Sequence, residues 1–128
     1  MITPNRQEFE RAVGEQLGID EIEARAVGFL ETYSLDALLV TLGDKGMELV
    51  TSEGKSFRIG SQAREVFDVS GAGDTVIAVM AMAMDCGLDL LDAVKLANSA
   101  AGVVVSKSGT ATLTTTELIS VTAGERAE

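Results

Sequence analysis

The feature that most constrains this chain is the run Asp68-Val69-Ser70-Gly71-Ala72-Gly73-Asp74-Thr75, which leads straight into an apolar stretch from Thr75 to Cys86. That stretch has helical length, is apolar nearly all round and stops at Gly87, so it reads as a buried helix. Its entry is a turn of three small residues. Gly71, Ala72 and Gly73 leave the backbone bare, and their N–H groups can converge on an anion. The helix adds its positive dipole end and its unpaired first N–H groups at the same point. Asp74 then stands at the mouth of an anion site, an expensive place for a carboxylate unless its charge is used. A base that takes a proton from a hydroxyl, while neighbouring amides hold a transferring phosphoryl group, would use it.

The same turn has duller readings. Short glycine motifs arise often by chance, and a glycine turn that merely opens a buried helix is one of them. A dinucleotide-binding turn would need its third glycine at position 76, which is Val76, and no strand ending in an acid follows at the usual distance.

Composition narrows the partners. A chain of 128 residues is one domain's worth, and 46% hydrophobic residues are enough for a core. Aromatics supply only 4%, so that core is aliphatic. A formal net charge of -10 argues against binding a nucleic-acid backbone or an anionic membrane surface. Histidine is absent, which removes His-based acids and His-ligated zinc. Cys86 is the single cysteine and reads as a buried apolar residue on a helix. Neither a signal peptide nor a membrane-length apolar stretch is evident, so a cytoplasmic protein is the expectation.

Read in order, Ile2-Thr3-Pro4-Asn5 resembles the end of a strand whose body is missing, and a helix follows to about Val13. Asp20-Glu21-Ile22-Glu23 reads as a cap before a second helix, apolar at Ile22, Ala26, Phe29 and Leu30. Ala37 to Leu42 is a continuous apolar run, as in a strand covered on both faces. Gly43-Asp44-Lys45-Gly46 turns the chain into a second strand, Met47 to Thr51, and a third is expected around Ser56 to Gly60. Past the glycine turn, Met80, Met82 and Met84 read as core filler, because alternate spacing does not put all three on one helical face. Asp89 with Asp92 caps the next helix, which runs through the small residues Ala97 to Gly102 to about Val105. Thr114 with Glu117 caps a last short helix, with 124–128 expected to fray. Helices alternating with buried strands make the chain α/β.

Other motifs carry two readings each. Asn5-x-x-Glu8 is a capping box in its plain reading. A Glu in a first turn can also hold a magnesium ion through water, and its two oxygens make the roles compatible. Thr41-x-Gly43-x-x-Gly46 is adequate as a hairpin turn, or is a bare turn lying beside a nucleotide. No Walker-type loop is present, so a P-loop enzyme is excluded. Lys107-Ser108-Gly109-Thr110 is either a loop or a source of carbonyls and hydroxyls for a monovalent cation or an adenine.

Taken together, Asn5-x-x-Glu8, Thr41-x-Gly43-x-x-Gly46 and Asp68-x-x-Gly71-Ala72-Gly73-Asp74 resemble, in order, the motifs of the ribokinase-like, PfkB-type carbohydrate kinases. One departure is mild: the small residue usual five positions after the acid is Val79 here. Thr3-Pro4-Asn5, Glu65 to Val69, Ala97 to Val105 and Lys107 to Thr112 are similar to one subgroup, the kinase domain of the bifunctional ADP-heptose synthases. That subgroup phosphorylates D-glycero-β-D-manno-heptose 7-phosphate at its anomeric hydroxyl, for lipopolysaccharide core synthesis.

The resemblance implies the C-terminal part of a three-layer ribokinase-like αβα domain over residues 1–128. It implies ATP and Mg2+ as cofactors, with K+ as a monovalent cation, and a phosphosugar as acceptor. Asp74 would be the general base, and the amides of Gly71, Ala72, Gly73 and Asp74 the anion hole. Glu8 and Asn5 would organise Mg2+ and its waters. Thr41, Gly43, Gly46 and Asn98 would lie along the nucleotide, while Asp68 and Gly109 would belong to the monovalent-cation site. In the family a sugar-binding lid and half of the sheet precede the Asn-x-x-Glu motif. The expectation is therefore a fragment that binds ATP weakly and phosphorylates sugar poorly or not at all. Its parent would be a homodimer with a nucleotidyltransferase domain following. The competing readings are a non-catalytic nucleotide-binding module, a PfkB kinase for ribose, fructose phosphate or tagatose phosphate, and, third, a dinucleotide-dependent oxidoreductase.

Overall fold

A computed structural model of the chain describes residues 1–61, 72–106 and 113–127, with backbone alone for 122–127. The chain forms two compact units, Met1–Gly60 and Ser61–Glu128.

The first unit is built on a crossover. Its opening segment pairs in parallel with strand β1 (Ala37–Thr41) through Ile2 against Leu38 and Asn5 against Thr41. Leu39 N donates to Ile2 O and Thr41 N to Pro4 O, both at 3.0 Å. The opening segment thus runs beside β1 in two isolated parallel bridges. Parallel neighbours need a long connection, and helices α1 (Arg6–Val13) and α2 (Ile22–Tyr33) provide it. Strands β2 (Met47–Thr51) and β3 (Ser56–Ile59) then continue from β1 as an antiparallel meander in the order β1-β2-β3. Both helices lay their apolar sides on one sheet face, where Phe9, Leu17, Ile22, Ala26 and Leu30 meet Leu38, Val40, Leu42 and Val50. Leu39 and Leu49, paired across the opposite face, are also buried, so β1 is covered on both sides as its unbroken apolar run requires.

The turns follow the side chains. Asn5 and Glu8 form the capping box reciprocally: Glu8 N donates to Asn5 Oδ1 at 2.8 Å and Asn5 N to Glu8 Oε2 at 2.9 Å. Gly14 closes α1 at φ 79°, a conformation that favours glycine. Glu10 Oε2 accepts from Leu17 N at 2.9 Å, and the Arg6 guanidinium donates to Leu17 O, which ties the following loop to the helix. The cap expected from Asp20 and Glu23 does not form. A 3-10 turn over Ile19–Glu21 takes its place, with backbone bonds from Glu21 N to Gly18 O and from Ile22 N to Ile19 O. The hydrogen bond from Arg25 to Glu15 raises that guanidinium's pKa above its ordinary value.

The second unit consists, among the described residues, of helices α3 (Ala72–Asp85), α4 (Leu90–Val105) and α5 (Thr115–Ala127), with α3 and α5 both against α4. Gly87, at φ 90°, lets the chain turn between α3 and α4. Asp89 caps α4 by accepting from Asp92 N at 2.9 Å, and Thr114 pairs with Glu117 ahead of α5. That last helix is longer than expected, since its backbone stays helical through Gly124 to Ala127.

Helix α3 corrects three expectations. It is covered along one side only, by way of Val76, Val79, Met80 and Ala83, while Ile77 is 52% exposed. Met80 is core filler, but Met82 and Met84 are exposed, and so is Cys86. The reason is geometric. A helix that is apolar all round needs cover on every side, and α4 supplies one.

Candidate active site

In the first unit the carboxyl ends of the opening segment and of β1 meet the start of α1. Asn5 ends the opening segment and Thr41 ends β1, and the two are bridged in parallel. In sheets with parallel strands this is the edge where ligands collect. The first N–H groups of α1 and its positive dipole end face the same edge. Beyond Thr41 the chain turns through a 3-10 turn over Gly43–Lys45, closed by Leu42 N to Gly46 O at 2.8 Å and Lys45 N to Leu42 O at 3.2 Å. Gly43 at φ 63° and Gly46 at φ 90°, ψ −129° hold conformations that a side chain would strain. Asn5, Glu8, Thr41, Gly43 and Gly46 are therefore gathered at one end of one sheet, although they are separated widely in sequence.

Glu8 is exposed, and one of its carboxylate oxygens is used by the capping box. Its Oε1 accepts no hydrogen bond from described residues, so Glu8 can cap the helix and still receive a metal-bound water. Among the described residues no group of three or more carboxylates or cysteines could hold a metal directly. The donor set fits a magnesium ion held through water and phosphate oxygens, and does not fit an all-protein cage.

In the second unit Asp74 is the third residue of α3 and is exposed. The N–H groups of Ala72, Gly73 and Asp74 donate to no described residue, as in the first turn of a helix. A Cβ built on Gly73 would meet nothing within 4 Å, and its φ is not positive. Among the described residues neither packing nor backbone geometry demands glycine there. Asn98 is buried on α4 and is hydrogen-bonded or otherwise engaged. Asp68, Gly71 and Gly109 lie outside the described residues. Lys45 and Asp44, both exposed on the Gly43–Lys45 turn, were not singled out by sequence. The available signal was a lysine held between two glycines.

The family model for pfkB family carbohydrate kinases matches residues 1–117. The chain belongs to this family. Among curated members, the Bifunctional protein HldE of Halorhodospira halophila is 54% identical over 118 residues, which is 92% of this chain and 25% of the relative. That of Vibrio vulnificus (strain YJ016) is 48% identical over 126 residues, 98% of this chain and 26% of the relative. The chain thus spans about a quarter of the length of the curated relatives it matches. Of solved structures, ribokinase from Thermotoga maritima superposes with a TM-score of 0.85 at 28% identity, covering 94% of this chain and 41% of that one. Arabidopsis thaliana ribokinase complexed with ribose and ATP gives 0.83 at 28% identity, covering 93% and 39%. These likenesses establish the α/β, ribokinase-like fold class that the three PfkB motifs implied. No helix among the described residues is long and apolar enough to cross a membrane.

Proposed function

We propose that the chain is the C-terminal portion of a PfkB-type kinase domain and carries the phosphoryl-transfer end of a sugar kinase. The observation that carries this reading is Asp74, exposed in the first turn of α3 beside amides that bond to no described residue. In the reaction a sugar hydroxyl attacks the γ-phosphorus of ATP in line, the bond to ADP breaks, and Asp74 takes the hydroxyl proton. The amides of Gly71, Ala72 and Gly73 would stabilise the negative charge that builds on the transferring group. A magnesium ion, when bound, neutralises phosphate charge. Asn5 and Glu8 would orient its waters, and Thr41, Gly43, Gly46 and Asn98 would lie along the nucleotide. Asp68 and Gly109 would hold a monovalent cation such as K+.

Similarity to the HldE proteins supports D-glycero-β-D-manno-heptose 7-phosphate as the acceptor, with phosphorylation at the anomeric hydroxyl. The parent enzyme is proposed to be a cytoplasmic homodimer with a nucleotidyltransferase domain. This segment alone is proposed to bind ATP weakly without turning sugar over. A coupled assay of ADP release, run with a panel of phosphosugars on the intact enzyme and on the 128-residue chain, tests each part. The expected result is heptose 7-phosphate turnover by the intact enzyme and none by the chain. Preference for ribose or fructose phosphate would overturn the substrate. Robust turnover by the chain would overturn its inactivity.

The second reading, a nucleotide-binding module without catalysis, rests on Asn5, Thr41 and Gly43 standing together in one unit. Nucleotide binding by an intact enzyme that never turns over any phosphosugar would favour it.

A further inference from the structure

Helix α3 turns one side inward and leaves the other bare. Val76, Val79, Met80 and Ala83 fill the covered side. At about 100° per residue, Ile77, Ala78, Ala81, Met82 and Met84 share the outer arc, and all are exposed. Asp74 stands at the N-terminal end of that arc and Asp85 at its C-terminal end. Between these acids, over about three turns, the arc holds no polar side chain. Ile77 is 52%, Met82 44% and Met84 45% exposed, so the larger side chains stand out into solvent. A surface helix ordinarily shows water a polar face, and this one does not. Ala78 and Ala81 run down the middle, with Ile77 and Met84 on one flank and Met82 on the other. The result is a shallow furrow of the kind into which an apolar ridge packs.

A second copy of this chain is a poor occupant. Paired antiparallel, Asp74 of one copy would meet Asp85 of the other; paired parallel, each acid would meet itself. Two chains of net charge -10 repel besides. The length of the relatives supplies a better one. The chain covers 41% of the Thermotoga maritima ribokinase it superposes on, so more than half of that protein lies outside the matched portion. We propose that the open side of α3 seats the kinase-domain residues that precede this segment in the intact enzyme, and that their docking walls in Asp74. This rests on the reading of the chain as a portion of a sugar kinase domain. Asp74 ends the furrow, so residues seated there stand beside its carboxylate and keep bulk water from it. In the chain alone that carboxylate faces solvent, which is a physical ground for its proposed inactivity.

Oxidation by hydrogen peroxide, read residue by residue in a mass spectrometer, tests this on the intact enzyme and on the 128-residue chain. Met80, 1% exposed on the same helix, is the internal control. In the chain Met82 and Met84 should oxidise about tenfold faster than Met80, and in the intact enzyme all three should react at the slow rate of Met80. Ala81→Glu puts a charge in the furrow. In the intact enzyme it should make Met82 and Met84 oxidise fast again and leave Met80 slow. Fast oxidation of Met82 and Met84 in the wild-type intact enzyme would overturn the proposal, and so would their continued protection in Ala81→Glu. Photo-methionine at 82 and 84 identifies the occupant: cross-links should land in the preceding kinase-domain residues of the same chain. Cross-links to a second copy or to another domain would overturn the proposal as well. Should the isolated chain fail to fold, Met80 will oxidise there as fast as the others, and the intact enzyme decides alone. Oxidation reads cover and not turnover, so a protected furrow in an enzyme that phosphorylates no sugar would fail the kinase reading and leave the docking surface standing.

Discussion

The two compact units of this chain use apolar residues in opposite ways. In Met1–Gly60 the helices and the sheet close on each other, and Phe9, Ile22, Ala26, Leu38, Val40 and Val50 are each at 0% exposure. Its polar side chains are spent on structure: a reciprocal cap at Asn5 and Glu8, a loop tied by Arg6 and Glu10, and a buried Glu48 satisfied by Arg58 and Ser56. In Ser61–Glu128 the helix that bears Asp74 leaves Ile77, Met82 and Met84 in solvent, followed by Cys86 and Leu88. One unit satisfies its own sequence. The other carries more apolar surface than its described neighbours cover, and it is the one that holds the candidate base.

That contrast can be broken by stability measurements. Phe9→Ala should destabilise the chain by about 3–5 kcal/mol in urea unfolding, because a sealed core cannot refill the cavity. Met84→Ala on the open side of α3 should stay within about 0.5 kcal/mol. Equal losses would show that the two units are packed alike. Next in size is Glu48→Ala. Glu48 is 3% exposed and its partner Arg58 keeps 39% of its side chain in solvent. The loss should fall to about 2 kcal/mol, below the cost of breaking a fully buried pair. Arg58 also donates to Ile19 O at 3.0 Å, so hydrogen exchange should quicken first around the Ile19–Glu21 turn.

Helix caps sharpen the comparison further. Asn5→Ala and Asp89→Ala each remove one side-chain cap and should each cost about 1 kcal/mol. Only Asn5→Ala should also weaken MgATP binding, since Asp89 serves the helix alone; equal effects on binding would remove Asn5 from the site. The smallest stability change is expected for Gly73→Ala. The added methyl meets nothing within 4 Å, and alanine is the better helix former, so stability should hold or rise slightly. Phosphoryl transfer by the intact enzyme should nevertheless fall, because the methyl would crowd the anion. Unchanged turnover would show that glycine at 73 serves no ligand.

Much of this was legible in the sequence where the signal is local. Asn-x-x-Glu, the Asp89 cap, the Thr114–Glu117 cap and the hairpin through Gly43 and Gly46 all depend on residues within a few positions of one another. The start of α2 was misread because backbone bonds in a 3-10 turn did the work expected of Asp20. Cys86, Met82 and Met84 were misread for a different reason. An apolar residue records that cover is wanted, and it does not record what provides it. At the candidate site, Asp74 and the glycines were readable by residue type. The meeting of Asn5 with Thr41 needed the parallel pairing of the opening segment with β1.

The central claim is that Asp74 removes the proton from the acceptor hydroxyl. A single-turnover measurement on the intact enzyme, saturated with MgATP and heptose 7-phosphate, tests it with Asp74→Asn. The rate should fall ~10²–10⁴-fold while MgATP affinity stays within a factor of about two, as expected when a general base is lost and binding is not. A rate within tenfold of wild type would contradict the account.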